Sequence, residues 1–509
     1  MTTVTEATAA RDLRRIDHWI GGESFPSASE RFGPVFDPAA GGAVARVAFA
    51  TDAEVDAAVA AARAALPAWR AMPAARRAQV LFELRARVLA SADRLAETIS
   101  CEHGKTRLDA AGEVQRGLEV IDFACAAPQL LKGEHSAGVA TGLDVYSVRE
   151  PVGVVAGVTP FNFPVMVPLW MIPIALACGN TFVLKPSEKD PTAPTLLAEL
   201  FNEARLPPGV LNVVHGDRTA VARLLEHDDV AAVSFVGSTP VARSIYAAGT
   251  RAGKRVQALG GAKNHMVVLP DADVEGAADA AVSAGYGSAG ERCMAVSVVV
   301  AVGDVGDRLV PAIAERIDRL RVGPASDPGS EMGPLISREH RDRVAGYVER
   351  GAAAGATPVR DGRGIEVRGC PQGFFLGPTL FDRVDPASEL YRDEIFGPVL
   401  SVVRVENFAE AVGLVNSNPW ANGVAVFTED GGAARRFESE VEVGMVGVNV
   451  PIPVPVGYHS FGGWRQSLFG AHGIYGPEGV HFYTRQKVVT RRFGDPERRG
   501  VDLGFPRSR

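Results

Sequence analysis

The residue whose type and setting most suggest chemistry is Cys293, at the end of Gly290-Glu291-Arg292-Cys293. A cysteine attacks a carbonyl carbon as its thiolate, and a neighbouring guanidinium favours that form. Arg292 is adjacent in sequence, although adjacent side chains need not face the same way. Because most isolated cysteines are small buried hydrophobic residues, this segment alone does not establish a nucleophile.

Three further segments carry polar side chains that a substrate or cofactor could use. Asn162 lies in a turn after an apolar strand, where an asparagine either hydrogen-bonds its own backbone or offers its amide N–H to an oxyanion. A buried strand delivers Lys185 and Glu188 to the carboxyl edge of a sheet, where open α/β sheets bind ligands. Gly237 and Ser238 stand between a strand and a helix N-terminus, which attracts phosphate. This turn lacks a full G-x-G-x-x-G, so it does not define a nucleotide site by itself.

Strands that alternate with helices must position these residues. The apolar, β-rich runs cover residues 152–158, 181–184, 211–214 and 230–236, and helix-like segments cover 165–178, 192–204, 219–226 and 240–250. This alternation predicts a parallel sheet with crossover helices, a layout of the nucleotide-binding type. A second set, with strands at 266–269 and 296–301 around a helix at 274–289, predicts a second α/β domain with Cys293 near its start.

Helices precede both sets. Thr51 and Glu54 have the spacing of a capping box and open an alanine-rich helix that ends near Trp69. An amphipathic helix is predicted at 74–103, and a third helix begins near Leu108.

Composition limits the class of protein. A chain of 509 residues is too long for one compact core. Its net charge of −7 favours a soluble cytoplasmic protein and argues against a nucleic-acid binder, with the arginines near both ends interpreted as solvated tails. Five scattered cysteines without a C-x-x-C pair fit neither a disulfide framework nor a zinc site, so no metal is expected. The uncharged stretch 151–184 is interrupted by four prolines, which favours buried elements over a membrane span.

The order and spacing of these segments resemble the aldehyde dehydrogenase superfamily over nearly the whole chain. Its later markers are present as Glu394-x-Phe396-Gly and Asn416-x-Asn418. The resemblance implies an α/β fold of the aldehyde dehydrogenase type, with a Rossmann-type NAD-binding domain, an α/β catalytic domain and a small β oligomerisation element. Ala242 is a departure, because most members have glycine there and the helix packing must accommodate one methyl.

The resemblance also divides the chain. The expected parts are an NAD-binding domain (1–138 and 151–258), a catalytic domain (259–455), oligomerisation strands (139–150 and 475–493) and a tail (494–509). Two-residue alternation at 143–148 and 481–489 independently predicts strands outside both cores, which we expect to form a small sheet used in subunit contact. The family suggests a homo-oligomer, a tetramer built from dimers.

A bound NAD is a further implication of the resemblance. The cofactor-binding residues that it implies are Thr159, Phe161, Lys185, Glu188, Lys189, Ser238, Gly260, Glu394 and Phe396. Lys185 and Glu188 would hold the adenosine ribose, and Ser238 would sit at the pyrophosphate. Glu394 would hold the nicotinamide ribose. A carboxylate at the adenosine ribose repels a 2′-phosphate and so favours NAD over NADP, although Lys189 beside it weakens that preference.

The chain lacks a glutamate that hydrolytic members of the superfamily use to transfer the enzyme-bound acyl group to water. Hydrolytic members carry a glutamate in an E-L-G-G-K segment as the base that activates water. Here the segment 257–265 aligns Leu259 or Ala258 with that glutamate, depending on register, and residues 230–270 contain no Asp or Glu. Leucine cannot abstract a proton, so hydrolysis by this route is expected to be slow. Glu291 flanks the nucleophile and remains a candidate for a base.

An acceptor of the acyl group other than water is therefore expected. The segments at 261–265, 290–294 and 447–455 resemble the CoA-acylating methylmalonate-semialdehyde dehydrogenase family, and the likeness runs from residue 17 to about 492. This implies coenzyme A as co-substrate. A CoA thiol can attack as its thiolate, so it depends less on an enzymic base than water does.

The family's substrates carry a carboxylate beside the aldehyde, for which an arginine fork is suited. The resemblance points to Arg116 and Arg292. The alternative for Arg116 is an exposed helix arginine paired with Glu113 and Glu119 at a spacing of three residues.

The expected reaction begins with attack of Cys293 on a semialdehyde, with the oxyanion held by the Asn162 amide and the Cys293 N–H. Oxidation by NAD, loss of CO₂ and transfer to CoA would give propionyl-CoA or acetyl-CoA, since one methyl separates methylmalonate from malonate semialdehyde. The alternatives are a hydrolytic aldehyde dehydrogenase and a non-catalytic binding or structural protein on the same fold.

Overall fold

The computed structural model describes residues 13–493. Within these residues, two large sheets are accompanied by two three-stranded sheets and one two-stranded pair. The predicted tail at 494–509 and the first twelve residues of the predicted NAD-binding domain lie outside the described residues. The predicted domain boundaries stay predictions.

The first large sheet has eight strands. In spatial order they are Leu468–Phe469, Arg255–Leu259, Val230–Val236, Val154–Val158, Thr181–Lys185, Leu211–Val213, His18–Ile20 and Glu23–Phe25. The five strands between residues 154 and 259 are parallel. Numbered by their order in the sequence, they lie side by side in the sheet as 3-2-1-4-5. Strands of this kind are buried on both faces, which explains their continuous apolar runs. The predicted parallel sheet is confirmed.

Helices cover this sheet. Their bounds are Asp52–Ala71, Ala74–Ala90, Ala92–His103, Arg107–Cys125, Ala127–Leu130, Met166–Ala177, Thr192–Glu203, Arg218–Glu226 and Thr239–Arg251. The capping box is confirmed, because the Glu54 N–H donates to Thr51 Oγ1 (3.3 Å) and the Thr51 N–H donates to Glu54 Oε2 (2.8 Å). The single helix predicted at 74–103 is wrong: Ser91, with φ −103° and ψ 10°, ends one helix and begins the next.

The second large sheet has seven strands. In spatial order they are Thr357–Arg360, Thr379–Asp382, Val399–Val405, Val296–Val302, Asn264–Val268, Gly423–Phe427 and Met445–Val448. Its helices are Val274–Tyr286, Val305–Arg319, Arg338–Ala353, Glu389–Arg392, Phe408–Ser417 and Gly431–Glu440. The helix predicted to reach residue 289 ends at Tyr286, and a 3₁₀ turn at Gly287–Gly290 leads to Cys293.

The three-stranded sheet that contains Leu143–Pro151 joins distant parts of the chain. Leu143–Pro151 lies between His135–Ala140 and Thr484–Arg492, and it pairs antiparallel with the latter over nine residues. The predicted strand at 481–489 therefore begins three residues late, because the helix Gly476–Phe482 occupies its start.

The remaining elements are short. They are the strands Arg14–Ile16, Phe32–Asp37 and Gly42–Ala48, which form one sheet, the pair Trp420–Ala421 and Trp464–Arg465, and the 3₁₀ turn Gly362–Gly364. The uncharged stretch 151–184 folds as a strand, a loop, the buried helix Met166–Ala177 and a second strand. Among residues 13–493, no helix combines the length and the apolar character that crossing a membrane requires.

Candidate active site

Cys293 lies in the loop between the 3₁₀ turn and the strand Val296–Val302, half-buried against the hydrophobic core of the eight-stranded sheet. Two asparagines hold its backbone carbonyl. The Asn264 side chain donates to that oxygen at 3.0 Å, and the Asn422 side chain donates at 3.4 Å. The sequence did not single out either as a site residue, although Asn264 belongs to the 261–265 segment.

The electrostatics of Cys293 differ from the sequence-based expectation. Burial raises the pKa of the Cys293 thiol to about 12, and the nearby Glu394 carboxylate raises it further. Arg292 favours the thiolate only slightly, because its guanidinium is engaged with Asp109 (Nη2 to Oδ1, 2.6 Å). Arg292 therefore acts in the direction that the sequence suggested, but desolvation of the charged form outweighs it.

Cys293 faces a cavity of about 320 Å³ that contains both predicted arginines. The lining residues are Asp109, Gly112, Glu113, Arg116, Phe163, Met166, Trp170, Arg292, Cys293, Met294, Ile452 and Val454. The walls are thus largely apolar, with the two guanidiniums as the cationic groups. A carboxylate entering this cavity would be recognised by charge in a poorly solvated environment.

Arg116 combines features of both interpretations. Its Nη1 pairs with Glu119 Oε2 at 2.7 Å, as the structural alternative predicted. Its Nη2 donates to the carbonyls of Pro455 (2.9 Å) and Val454 (3.2 Å), and Val454 lines the cavity. The pair with Glu113 that this alternative also contained is not formed, because Glu113 instead forms a buried ion pair with Lys105 at 2.9 Å.

One helix face builds much of this site. Asp109, Glu113 and Arg116 belong to the helix Arg107–Cys125. They are spaced by four and then three residues, so their side chains share one face of this helix. Asp109 forms an ion pair with Arg292 and so fixes its guanidinium. The guanidinium lies close to Gly287, where an added β-carbon would come within 2.6 Å of Arg292 Nη1. The sequence missed Asp109, and this helical spacing was the available signal.

Asn162 is placed beside the nucleophile loop. Its side chain is buried, and Nδ2 donates to the backbone carbonyl of Glu291 at 3.0 Å. Because Glu291 precedes Cys293 by two residues, the structure brings together the two residues predicted to form the catalytic pair. An amide nitrogen has two protons, so one remains to meet an oxyanion formed at Cys293.

The surroundings offer little to activate water. Ala258 and Leu259 are buried at the end of their strand, with no titratable group at either candidate position. Both carboxylates that line the cavity, Asp109 and Glu113, are paired with cations.

Glu291, the other candidate base, points elsewhere. Its Oε1 accepts from the Ile336 N–H at 3.2 Å and lies 3.3 Å from His340 Nε2. Burial raises its pKa to about 8, so it is mostly protonated at neutral pH.

Seven of the nine predicted cofactor residues lie at or just beyond the carboxyl ends of parallel strands, at one edge of the eight-stranded sheet. Val158 pairs with Lys185 on one side and with Phe235 on the other, so these parallel strands end at the same level. Thr159 and Ser238 follow two of the strands at the point where the strand order reverses, which is the ligand crevice of open α/β sheets. Within residues 13–493, the buried Thr159 hydroxyl has no hydrogen-bond partner.

At this edge Ser238 suits a phosphate group, whereas Gly260 is required by packing within the chain. Ser238 is exposed at the N-terminus of Thr239–Arg251, and within the described chain its hydroxyl does not cap the helix. A β-carbon on Gly260 would come within 2.7 Å of the Gln466 carbonyl and 2.9 Å of Thr239 Oγ1. Ala242, the departure from the usual glycine, is fully buried, so its methyl is accommodated.

Lys185 and Glu188 form an ion pair at 3.1 Å. Burial acts to raise the pKa of Glu188, but Lys185 and hydrogen bonding outweigh it and leave the pKa below its ordinary value. The carboxylate is therefore charged at neutral pH. Lys189 places its ammonium 5.0 Å from the centre of the Phe161 ring.

Glu394 and Phe396 approach the site from the seven-stranded sheet. Glu394 shares a small cavity with Cys293 and accepts from the Ala262 N–H at 2.8 Å. Burial raises its pKa to about 7. Phe396 has a left-handed backbone (φ 58°), and its ring lies 6.0 Å from that of Phe161, which belongs to the other sheet's edge.

The two sheets therefore define an α/β enzyme with a ligand crevice at a parallel-sheet edge and a cysteine between the crevice and an arginine-containing cavity. Residues 25–489 match the aldehyde dehydrogenase family, and the chain belongs to that family. It is an oxidoreductase that acts on aldehydes.

Similar proteins share a narrower description. A malonate-semialdehyde dehydrogenase of Pseudomonas aeruginosa is 55% identical over 479 residues, which cover 94% of this chain and 96% of the relative. A methylmalonate-semialdehyde dehydrogenase of Oceanimonas doudoroffii has a similar structure, with a TM-score of 0.94 at 50% identity over 95% of this chain and 99% of that one. A Sinorhizobium meliloti protein described as methylmalonate-semialdehyde dehydrogenase, solved with NAD, has a TM-score of 0.94 at 49% identity and the same coverage.

Proposed function

We propose that this enzyme uses NAD to oxidise malonate or methylmalonate semialdehyde, releases CO₂, and transfers the acyl group to coenzyme A. The observation that carries the proposal is the Cys293 cavity, which contains two arginines and in which both lining carboxylates are already ion-paired. It provides cations for a carboxylate on the substrate, and neither of its own carboxylates is free to act as a base on water.

Arg116 and Arg292 are the proposed carboxylate-binding residues. Each is less than one-third exposed and has an acidic partner, Glu119 and Asp109. An incoming carboxylate would share or replace these partners, because a guanidinium has five N–H donors in a planar fork. The apolar wall around them strengthens the interaction by excluding water.

The nine residues named from the family resemblance are the proposed NAD site. The Thr159 hydroxyl, which has no partner within the described residues, and the exposed Ser238 at a helix N-terminus fit a dinucleotide along this edge. The charged Glu188 carboxylate favours NAD over NADP. The chemistry that NAD supplies when bound is removal of a hydride from the aldehyde carbon.

The covalent steps belong to Cys293. Its sulfur attacks the aldehyde carbon, and the resulting oxyanion is held by the Asn162 amide and the Cys293 backbone N–H. After oxidation the acyl group is a thioester of Cys293. The β-carboxylate leaves as CO₂, its bonding electrons pass to the α-carbon, and that carbon takes up a proton.

CoA completes the cycle. Its thiolate attacks the thioester carbonyl, and the Cys293 thiolate leaves, so no water need be activated. The product is acetyl-CoA from malonate semialdehyde and propionyl-CoA from the methyl homologue.

We also propose that the protein is a cytoplasmic homo-oligomer, a tetramer built from dimers. The three-stranded sheet that contains Leu143–Pro151 would take part in its subunit contacts.

Dependence on CoA tests this proposal. With NAD and either semialdehyde, we expect sustained NADH production only when CoA is added, and about one NADH per subunit without it. Mass spectrometry should identify the acyl-CoA product. Equal steady rates with and without CoA would instead establish hydrolytic turnover.

A pair of variants sharpens the same test. Leu259→Glu introduces a carboxylate where hydrolytic relatives have their base, so we expect CoA-independent turnover to appear. Leu259→Gln has nearly the same shape and cannot act as a base, so it serves as the matched control. Similar CoA-independent rates in both variants would contradict the role assigned to the missing carboxylate.

A further inference from the structure

A buried ion pair lies behind the loop that carries Asn162. The Lys105 ammonium and the Glu113 carboxylate are 2.9 Å apart, and both side chains are fully buried. Burying two charges carries a large desolvation penalty, so such a pair is weak evidence for stability by itself. Its contacts therefore decide what it does.

Those contacts reach both ends of one short segment. Lys105 Nζ donates to the backbone carbonyl of Asn162 at 2.6 Å. Glu113 Oε1 accepts from the N–H groups of Val165 (2.7 Å) and Met166 (3.1 Å). The pair thus fixes the main chain of residues 162–166 at its beginning and at its end.

Asn162 is also held from the opposite side. Its side-chain Nδ2 donates to the carbonyl of Glu291, two residues before the nucleophile. The main-chain contact to Lys105 and this side-chain contact together determine where the amide stands relative to Cys293. The Lys105 ammonium also lies 4.3 Å from the centre of the Phe163 ring, which lines the cavity.

We infer that the Lys105–Glu113 pair is a positioning device for the oxyanion-binding amide of Asn162. It acts through Asn162 and touches neither the sulfur nor the reacting carbonyl, so its loss should slow thiohemiacetal formation and leave the nucleophile intact. The inference rests on the proposed role of Asn162, but it is independent of the final acyl acceptor.

The first experiment compares Lys105→Met with Lys254→Met. Lys254 is a matched control because it is also buried and donates to two backbone carbonyls, those of His227 and Val230. In Lys105→Met we expect the pre-steady-state NADH burst to slow by about 10²-fold, comparable with the loss of an oxyanion donor. KM for NAD should stay within about threefold. Lys254→Met should retain the wild-type burst.

Alkylation of Cys293 by iodoacetamide, measured with NAD present, separates positioning from general damage. This reaction displaces iodide from a CH₂ carbon and forms no carbonyl oxyanion, so it does not need Asn162. We expect Lys105→Met and wild type to alkylate at rates within about threefold. A parallel fall in burst and alkylation would overturn the inference, because it would indicate disruption of the whole site.

A double-mutant cycle with Asn162→Ala tests the route of the effect. If Lys105 acts through Asn162, the double variant should be no slower than Asn162→Ala alone. Multiplicative losses would overturn the inference and leave the Asn162 role standing. An unchanged burst in Asn162→Ala would overturn both.

Glu113→Gln keeps the test available if Lys105→Met does not fold. The amide retains an acceptor oxygen for the Val165 and Met166 N–H groups but loses the charge that holds Lys105. We expect a burst slowed by about tenfold, unchanged alkylation and the same non-additivity with Asn162→Ala. Additive behaviour would again overturn the inference.

Discussion

At the scale of single residues, the surroundings of Cys293 keep its thiol protonated. Burial is the largest influence and raises the pKa to about 12, with the Glu394 carboxylate adding to the rise. The cation that favours the thiolate, Arg292, is ion-paired with Asp109. The ligand-free site therefore disfavours the thiolate, which is the form that oxidation and alkylation require.

This pKa predicts a pH dependence for Cys293 alkylation. A pKa raised above that of an ordinary thiol keeps the reactive thiolate scarce, so the iodoacetamide rate without NAD should rise about tenfold per pH unit between pH 7 and 10 without a plateau. The measurement uses a background in which the exposed Cys101 and half-buried Cys370 are serine. Cys293→Ser in that background should remove the signal. A plateau near pH 7 would contradict the prediction.

The sequence identified much of the site at this scale and missed its internal pairing. Cys293, Asn162 and the two arginines were predicted and lie together in the structure. The Glu113 contact was assigned to Arg116 because residues three apart on a helix are neighbours. Spacing along a helix cannot reveal that a lysine eight residues earlier turns back to the same carboxylate.

At the scale of elements, the turn before Cys293 stores strain. Ser288 and Ala289 have φ of 54° and 52°, followed by Gly290 at 74°. Left-handed backbone is unfavourable for residues with a β-carbon, so the surrounding structure must hold this turn in place. It carries the chain from Val274–Tyr286 to the nucleophile loop, against the segment that contains Phe396.

Gly290→Ala tests this turn. A β-carbon there would overlap the carbonyl of Gly397, besides adopting a positive φ. We expect a loss of about 1–3 kcal/mol in the free energy of unfolding and a large fall in kcat as the Cys293 loop shifts. Gly253→Ala is the matched control, because it has the same backbone (φ 72°) with nothing within 4 Å of the added carbon. It should cost about 1 kcal/mol and retain kcat. Similar kcat values in the two variants would show that the turn does not set the loop.

Element boundaries show where sequence reasoning loses resolution. Apolar runs located four of the five parallel strands of the eight-stranded sheet to within two residues, since burial on both faces leaves a continuous pattern. The fifth strand, Arg255–Leu259, was not predicted. The break at Ser91 escaped detection because the amphipathic pattern continues across it. The positive φ of Ser288 and Ala289 was also unpredictable, because these residues adopt it under constraint from neighbouring elements rather than from their own preference.

At the scale of the whole molecule, each sheet contributes what the other lacks. The eight-stranded sheet supplies the ligand crevice, Asn162 and the core against which Cys293 packs. The seven-stranded sheet supplies Glu394 and the two asparagines, Asn264 and Asn422, that hold the Cys293 carbonyl. The proposed chemistry therefore depends on the packing of the two sheets against each other, and a chain truncated to either one should not oxidise aldehydes.

The three-stranded sheet leads to a prediction about assembly. Its terminal strand, Thr484–Arg492, is an edge strand with mostly exposed side chains, including Val488 at 59% exposure. Exposed edges and apolar side chains of this kind favour pairing with another chain. We expect Val488→Asp to lower the molecular mass measured by sedimentation velocity, because a buried unpaired charge would oppose subunit contact. Phe82→Asp, which changes a similarly exposed apolar residue on Ala74–Ala90, should keep the wild-type mass. A wild-type mass for Val488→Asp would place the subunit contact elsewhere.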